Sequence, residues 1–345
     1  MPGKERAMSN SAKSIFLISL LIGLVWFACK VSWVIELVII SLLIVYVLFP
    51  ITEYLQEKRK VSHLFAVTVT FVCFMFTILA LIGLVVPVLQ KEIQEIANDL
   101  PQYISQIQNY IKEIADFFMA FDLGPEIIDY ILSFSTKLTP FLEEVATFSV
   151  SVISGFIDIF FILFIVFYLL YDFKNIRLML IKILPVQYRK IGEDIIGLID
   201  RNVGNYIRGN FIRCLIVGVL TGFVLFLVGM PYSLLLGITA GVLNIILYIG
   251  PYIAAVPALI LSFSPLTPSP VIVILIYLIV QIIDGTVLSP LLLGRAVKLK
   301  PITVIISLLI GQQLAGFLGM ILSTPIAGIF RSLLEYFDHE KRKAK

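Results

Sequence analysis

Long apolar runs dominate the hydrophobic pattern of this 345-residue chain. Because the hydrocarbon core of a bilayer takes about 20 apolar residues per helix, each run of this length predicts a membrane-spanning helix. Eight runs qualify: Ser14–Cys29, Val31–Phe49, Leu64–Leu89, Ser149–Leu170, Phe211–Val228, Leu234–Leu261, Val271–Leu288 and Ile302–Leu322, the last continuing apolar to about Leu334. The pattern therefore predicts an all-α integral membrane protein with about eight transmembrane helices.

The polar stretch between the third and fourth runs carries a helical pattern of its own. Its apolar positions from Ile93 to Phe118 recur every three or four residues, as in an amphipathic helix, and Gly124-Pro125 then predicts a break. Segment 90–148 holds three basic and ten acidic residues. We expect an extracytoplasmic amphipathic helical insert that lies on the membrane or packs against a neighbouring subunit, with a solvated hairpin covering its own protein as the alternative.

Charged residues are scarce in this chain. It is 59% hydrophobic and 14% charged with a net charge of +3, and its mean hydropathy is +1.02, whereas a soluble domain is about 25% charged. These values exclude a soluble enzyme, a disordered chain and a nucleic-acid binder. Cys29, Cys73 and Cys214 lie in separate apolar segments without metal-type spacing, so we expect no disulfide, metal site or cofactor.

The basic residues gather in clusters, which set the orientation because short cytoplasmic loops are enriched in Lys and Arg. The clusters lie in segments 1–13, 58–60, 174–208 and 341–345. An eight-pass arrangement places all of them, and both termini, in the cytoplasm. The loop that carries Arg295, Lys298 and Lys300 then falls outside. Either the charge rule fails at this loop, or the region is a re-entrant hairpin.

These patterns divide the chain into seven parts. They are a cytoplasmic N-terminal tail (1–13), the first three spans (14–89), the extracytoplasmic insert (90–148), the fourth span (149–170), a cytoplasmic amphipathic region (171–210), a C-terminal transport core of spans five to eight (211–337) and a cytoplasmic tail (338–345). The transport core differs from the first half because Gly, Pro and amide residues repeatedly interrupt its apolar helices.

The sixth span contains the first of these interruptions, with Asn244, Tyr248, Gly250 and Pro251 close together. A proline removes a backbone donor and clashes with the preceding turn, so the span should unwind near Gly250. Irregular backbone at membrane depth is tolerated only where protein or a water-filled cavity satisfies it. We therefore expect some spans of the C-terminal half to be broken or re-entrant, with a polar cavity here; a kink without function is the alternative.

Acidic residues inside apolar spans are the next candidates, because an ionisable group at membrane depth is a functional hypothesis by default. Gln281 and Asp284 are three residues apart and share one helix face. Asp284 could bind a cation, carry a proton, or form a structural ion pair with Arg295. Asp158 lies near the middle of the fourth run, where a buried hydrogen bond explains it as well as transport does.

The final span combines an amide pair with glycines and a proline, which again indicates a broken helix. Two discontinuous helices with polar residues near the midplane are typical of a transporter site. The predicted substrate or ion pathway comprises Asn244, Tyr248, Gly250, Pro251, Gln281, Asp284, Gln312, Gln313 and Asp158. The predicted structural hinges or ion-pair residues are Pro290, Arg295, Pro301, Gly311 and Pro325.

A set of short motifs gives the chain a family resemblance. The motifs are Tyr171-Asp172, Gly204 to Gly209, Val228 to Tyr232, Asn244 to Pro251, Val287 to Gly294, Pro301, Gly311 to Gly319, and Pro325. With these residues, the chain resembles the autoinducer-2 exporter (PerM-like) family of bacterial inner-membrane transporters over nearly its whole length. It departs at Leu247, where the family usually has proline, and at Asn210 and Asp284, where Gln and Glu are more common.

The resemblance implies export of small molecules, including the furanone-type quorum signal, and sodium/proton antiport in some members. We therefore expect a secondary transporter of the bacterial inner membrane, not an enzyme, that exports a small polar metabolite. The alternatives are a sodium (lithium)/proton antiporter and a non-transporting membrane scaffold that acts through the insert. The expected partners are membrane lipids, the small-molecule or monovalent cation substrate and further copies of the chain in a homo-oligomer, but no nucleic acid. The chain lacks an ATP-binding Gly-x-x-x-x-Gly-Lys loop, so pumping would use an ion gradient or a partner ATPase.

Overall fold

The computed structural model describes residues 19, 30–120, 156–264, 267–293 and 299–343, and no strand occurs among them. The predicted all-α fold is therefore confirmed. The helices are α1 (Ser32–Arg59), α2 (His63–Ala120), α3 (Phe156–Ile183), α4 (Arg189–Leu227), α5 (Ser233–Leu243), α6 (Gly250–Leu261), α7 (Pro270–Ile283), a π-helix (Asp284–Leu293) that continues α7, and α8 (Pro301–Lys343). Six stretches of the described chain are long and apolar enough to cross a membrane. The predicted first span, Ser14–Cys29, lies outside the described residues except for residue 19.

Helices α1, α2 and α3 pack into a bundle around an apolar centre. The centre consists of Val45, Leu48, Val67, Val166 and Leu170. Helices α1 and α3 run parallel, because Trp33 Nε1 donates to Asp158 at 3.1 Å near their starts and Lys174 Nζ lies 3.4 Å from Glu53 near their ends. Helix α2 continues for 58 residues, about 87 Å at 1.5 Å per residue. The third span and the first arm of the predicted insert are therefore one helix.

Helices α5 and α6 form a hairpin, residues 233–261, which we call the first hairpin. Leu236 at its start and Leu261 at its end share one buried cluster with Leu225 of α4, so both arms begin or finish at the same end of α4. The arms have 11 and 12 residues, about 17 Å each, which is roughly half of a 30 Å hydrocarbon core. The run Leu234–Leu261 predicts one crossing with a break near Gly250. The break is confirmed, but the chain reverses there.

Glycines allow the first arm of this hairpin to lie directly against α4. A Cβ atom at Gly218 would lie 3.0 Å from the carbonyl oxygen of Gly237, and a Cβ at Gly241 would lie 2.9 Å from the carbonyl oxygen of Cys214. Distances this short exclude any side chain at these positions without movement of the backbone. Helix α5 is thereby held against α4 along its whole length, as small residues allow in membrane helix pairs.

Helix α8 is also a hairpin, with arms 301–314 and 317–343, which we call the second hairpin. Ala315 and Gly316 have non-helical backbone angles, and Gly316 has φ 54°. A Cβ at Gly311 would collide with the carbonyl oxygen of Gly319, and the reverse also holds. Residues eight apart in a continuous helix are about 12 Å apart, so this contact requires the chain to fold back. The predicted interruption of the final span is present, and it too reverses the chain.

The π-helix ends beside the middle of α4, where the basic segment 174–208 finishes. The carbonyl group of Leu292 packs against Gly209, and Asn202 Nδ2 donates at 2.8 Å to Ser332 Oγ in the returning arm of the second hairpin. Because the first hairpin starts and ends at the C-terminal end of α4, helix α7 and the π-helix run back along the second half of α4. The eight-pass arrangement places the end of the π-helix on the outer side, whereas the structure places it beside the basic segment 174–208. Arg295 itself lies outside the described residues.

We predict that Lys300, the residue before α8, faces the cytoplasm, because the π-helix before it ends beside Gly209, next to the basic segment 174–208. In a protein whose native cysteines are replaced by serine, Lys300→Cys should react with a membrane-impermeant maleimide in inside-out vesicles and not in intact cells. Lys174→Cys should behave in the same way, and Lys91→Cys should show the opposite preference. Labelling of Lys300→Cys in intact cells would contradict this topology.

Candidate functional site

A buried ion pair lies where the first hairpin, the π-helix and α4 meet. Arg213 Nη1 lies 3.5 Å from Asp284 Oδ2, and both side chains are only 3% exposed. Asp284 is the first residue of the π-helix and Arg213 lies within α4. The partner of Asp284 in the structure is therefore Arg213, from a helix that ends more than 50 residues before Asp284.

Arg213 also completes the broken backbone of the first hairpin. Its Nη2 donates at 2.6 Å to the carbonyl oxygen of Asn244, the C-cap residue that follows α5, and its Nη1 donates at 3.2 Å to Ser289 Oγ in the π-helix. The last carbonyl groups of a helix have no partner within the helix. A guanidinium group with five donors can therefore serve the broken helix and the carboxylate together.

The tip of the first hairpin is held by α4 at a second point. Asn210, one turn before Arg213, donates its Nδ2 at 3.3 Å to the carbonyl oxygen of Ile245. Tyr248 at the tip has φ 68°, in the left-handed region that bulky residues rarely adopt. At Gly250 a Cβ would collide with the carbonyl group of Leu243, so only glycine allows α6 to start there.

Several buried polar atoms around the ion pair have no hydrogen-bond partner among the described residues. They are Arg213 Nε, Asn210 Oδ1 and Asn244 Oδ1. The Asn244 side chain is fully buried and faces the Asp284 carboxylate. An unsatisfied buried polar group costs about 1–3 kcal/mol. This cluster, which we call the polar cluster, therefore offers donors and acceptors to a solute.

A cavity of about 240 Å³ lies one helical turn from the polar cluster, between α4, the first hairpin and α7. Its polar lining groups include Gln281, one turn before Asp284, and Thr221, whose buried hydroxyl has no partner among the described residues. Tyr277 also lines it and donates at 3.2 Å to the carbonyl oxygen of Ala254 in α6. Drug-sized ligands occupy roughly 300–1,000 Å³, so this cavity suits a smaller solute.

A larger cavity of about 610 Å³ lies on the opposite face of the contact between α4 and α5. Its lining is almost entirely apolar, and Phe211, Val219 and Phe223 on its wall are about half exposed or more on the outer surface of the helices. Phe317, beside the tip of the second hairpin, also lines this cavity. A polar solute would gain no hydrogen bonds there, so the smaller cavity is the candidate substrate site.

The structure brings together only part of the predicted pathway. Asn244 and Asp284 belong to the polar cluster, Gln281 and Pro251 line the smaller cavity, and Tyr248 and Gly250 form the tip of the first hairpin. Gln312 and Gln313 are exposed residues near the tip of the second hairpin. Asp158 accepts its hydrogen bond from Trp33, the second residue of α1. Asp158 therefore lies near one end of the bundle formed by α1, α2 and α3. Its place in the apolar run predicts a position at mid-depth instead.

The predicted hinge residues also lie at separate places. Pro290 is exposed within the π-helix, Pro301 starts α8, Gly311 packs against Gly319, and Pro325 is buried in the returning arm. Arg213, Thr221 and Ser289 are absent from the predicted pathway. For Arg213 a signal exists in the sequence, because it is a basic residue inside the apolar run Phe211–Val228.

The known proteins that resemble this chain agree on one family. The family described as AI-2E family transporter matches residues 15–338. Protein YrrI of Bacillus subtilis (strain 168) is 30% identical over 327 residues, covering 93% of this chain and 91% of its own length, and YueF of the same organism is 30% identical over 328 residues, covering 90% and 88%. PerM of Escherichia coli (strain K12) is 24% identical over 283 residues, 79% of each chain. Their names mark the first two as candidate transport proteins and the third as a candidate permease.

We predict that Arg213→Ala destabilises the protein by about 3–5 kcal/mol, because it leaves the Asp284 carboxylate buried without its counter-charge. The double variant Arg213→Leu/Asp284→Leu removes both charges and should recover only part of this loss, because the carbonyl oxygen of Asn244 still lacks its donor. Thermal unfolding of the detergent-solubilised protein measures both effects. Arg331→Ala, which breaks an exposed pair with Glu335, should cost less than about 1 kcal/mol. Equal stability of Arg213→Ala and the parent would contradict the pairing of Arg213 with Asp284.

Proposed function

The chain belongs to the AI-2E transporter family, and from this premise we propose that it is a secondary transporter that exports a small polar metabolite across the bacterial inner membrane. The observation that carries the proposal is the polar cluster beside the 240 Å³ cavity, within helices that are interrupted at membrane depth. Discontinuous helices that meet near the midplane are where secondary transporters hold their substrates. The family resemblance implies that the substrate moves outward.

The charge balance of the site favours a neutral substrate. Arg213 and Asp284 neutralise each other, so a charged solute would bring an uncompensated charge into a buried region, at a high desolvation cost. The atoms left unpaired include a donor on Arg213 and acceptors on Asn210 and Asn244. A hydroxyl group both donates and accepts hydrogen bonds. A small hydroxylated compound of the furanone type therefore matches the site.

The same ion pair weakens the proposal of sodium (lithium)/proton antiport. That function would need Asp284 as a free carboxylate, but the guanidinium group of Arg213 lies 3.5 Å from it and stays protonated at any physiological pH. A sodium ion would have to compete with this fixed charge. No observation in the described residues favours the scaffold alternative, whose second helix in segment 90–148 lies outside them.

We predict that Thr221→Val and Gln281→Leu lower export of labelled autoinducer-2 at least several-fold, because each removes a polar group from the wall of the cavity without touching the ion pair. Uptake into inside-out proteoliposomes at several concentrations of the compound measures the effect. The expected change is mainly a higher KM, since the lost groups contact the solute in the bound state.

Thr77→Val serves as the matched control for the threonine. Thr77 is an exposed residue of α2 whose hydroxyl bonds only within its own helix, to the carbonyl oxygen of Cys73. This variant should transport like the parent. If both cavity variants transport autoinducer-2 at the parental rate with parental KM, the cavity is not the substrate site. If the parent itself moves none under an imposed proton or sodium gradient, this substrate is rejected.

A further inference from the structure

A carboxylate of the long helix α2 reaches the start of the first hairpin. Glu92 Oε2 accepts a hydrogen bond of 2.9 Å from the backbone N–H of Leu235, and the N–H of Leu234 also points to this carboxylate. Both residues belong to the first turn of α5. The contact therefore joins two elements that lie more than 140 residues apart in the sequence.

Helix α5 depends on this carboxylate because the side chain at its own N-cap position supplies no hydrogen-bond acceptor. The first backbone N–H groups of a helix have no partner within it, and Ser, Thr, Asp or Asn usually accepts one of them at the N-cap. Here the N-cap residue is Tyr232, with φ 57° and no capping hydrogen bond from its side chain. A negative charge at a helix N-terminus is favourable, so Glu92 supplies from α2 what the local sequence lacks.

The surrounding contacts make this link specific to one position of α2. Ile96, one turn after Glu92, packs against the buried cluster that contains Leu236 and Leu261 of the first hairpin. Glu95, by contrast, is exposed and pairs with Lys91 at 3.7 Å within the same helix. Only one of these two neighbouring glutamates thus holds the hairpin.

We propose that Glu92 is a positioning residue that latches the outer end of the first hairpin to α2, and that release of this contact accompanies opening of the core during transport. The latch acts through the hairpin, whose other end forms the tip held by Arg213 and Asn210. Helix α2 continues without interruption from Glu92 to Ala120. A partner or subunit that binds the segment after residue 90 can therefore act on the hairpin through this helix. The consequence for transport rests on the proposed function, whereas the latch itself does not.

Thiol modification of the hairpin tests the latch without any substrate. Ser233→Cys, in a background with Cys29, Cys73 and Cys214 replaced by serine, reports on the first turn of α5. Adding Glu92→Ala should raise its rate of reaction with a membrane-impermeant maleimide several-fold, because the first turn loses its only described capping group and opens more often. Glu92→Gln keeps an acceptor oxygen without the charge and should give an intermediate rate.

Glu95→Ala is the matched control, since it removes an exposed glutamate three residues further along the same helix, and it should leave the rate unchanged. Equal rates in the Glu92→Ala, Glu95→Ala and parent proteins would overturn the latch. If Glu92→Ala does not yield a monodisperse protein, the comparison of Glu92→Gln with Glu95→Gln decides in the same way. A parental rate for Glu92→Gln would then reject the role of the charge.

Transport kinetics separate the latch from a purely structural cap. In proteoliposomes with labelled autoinducer-2, Glu92→Ala should change the maximal rate and leave KM close to the parental value, because Glu92 does not line the cavity. A loss of folded protein with unchanged rate per folded molecule would overturn the positioning role. If the parent moves no autoinducer-2, the proposed substrate fails, but the thiol result on the hairpin still stands.

Discussion

The fold of the C-terminal half depends on satisfying a helix that is broken at membrane depth. In a bilayer no solvent is available to the free carbonyl groups of a helix end, and each unsatisfied group costs several kcal/mol. Arg213 and Asn210 of α4 supply donors to the carbonyl oxygens of Asn244 and Ile245. Without these two side chains, the reversal between α5 and α6 would expose bare backbone to an apolar environment. The position of the first hairpin is thus set by polar side chains of its neighbour.

Glycine contacts and the two reversals extend this arrangement to the rest of the core. Gly218 and Gly241 allow α5 to lie on α4 closely enough for Arg213 to reach the end of α5, and Gly311 and Gly319 close the second hairpin in the same manner. The two hairpins start from opposite sides of the molecule. Phe317 of the second hairpin and Ile245 of the first both line the larger cavity. Interrupted helices from both ends of the molecule therefore meet beside one buried ion pair.

Much of this could be predicted from the sequence, but the reversals could not. Apolar run length indicates a membrane segment, and Pro251 and the glycines around Gln312 indicate interruptions, since both signals are local. Whether the chain continues across the bilayer or turns back after a break depends on contacts with α4, which periodicity along one helix does not report. The pairing of Asp284 with Arg213 is hidden for the same reason: the nearer basic residue in the sequence is Arg295. The sequence does carry one signal of a reversal: the eight-pass arrangement puts the basic residues Arg295, Lys298 and Lys300 outside. A hairpin that replaces a crossing changes the side of every later loop, and so removes this conflict with the charge rule.

The polar cluster is better explained by function than by stability. Replacing a buried ion pair with well-packed apolar residues is often neutral or stabilising by about 1–4 kcal/mol, so the charge pairing of Arg213 with Asp284 adds little stability beyond the hydrogen bond from Arg213 to the broken backbone. The cluster also leaves atoms of Asn210, Asn244 and Arg213 without partners among the described residues. Natural proteins depart from ideal packing in this way mainly at functional sites. A structural hinge would need only the donors that reach the broken backbone. The additional unpaired donors and acceptors, one turn from a cavity of solute size, are what a binding site for a neutral polar compound requires.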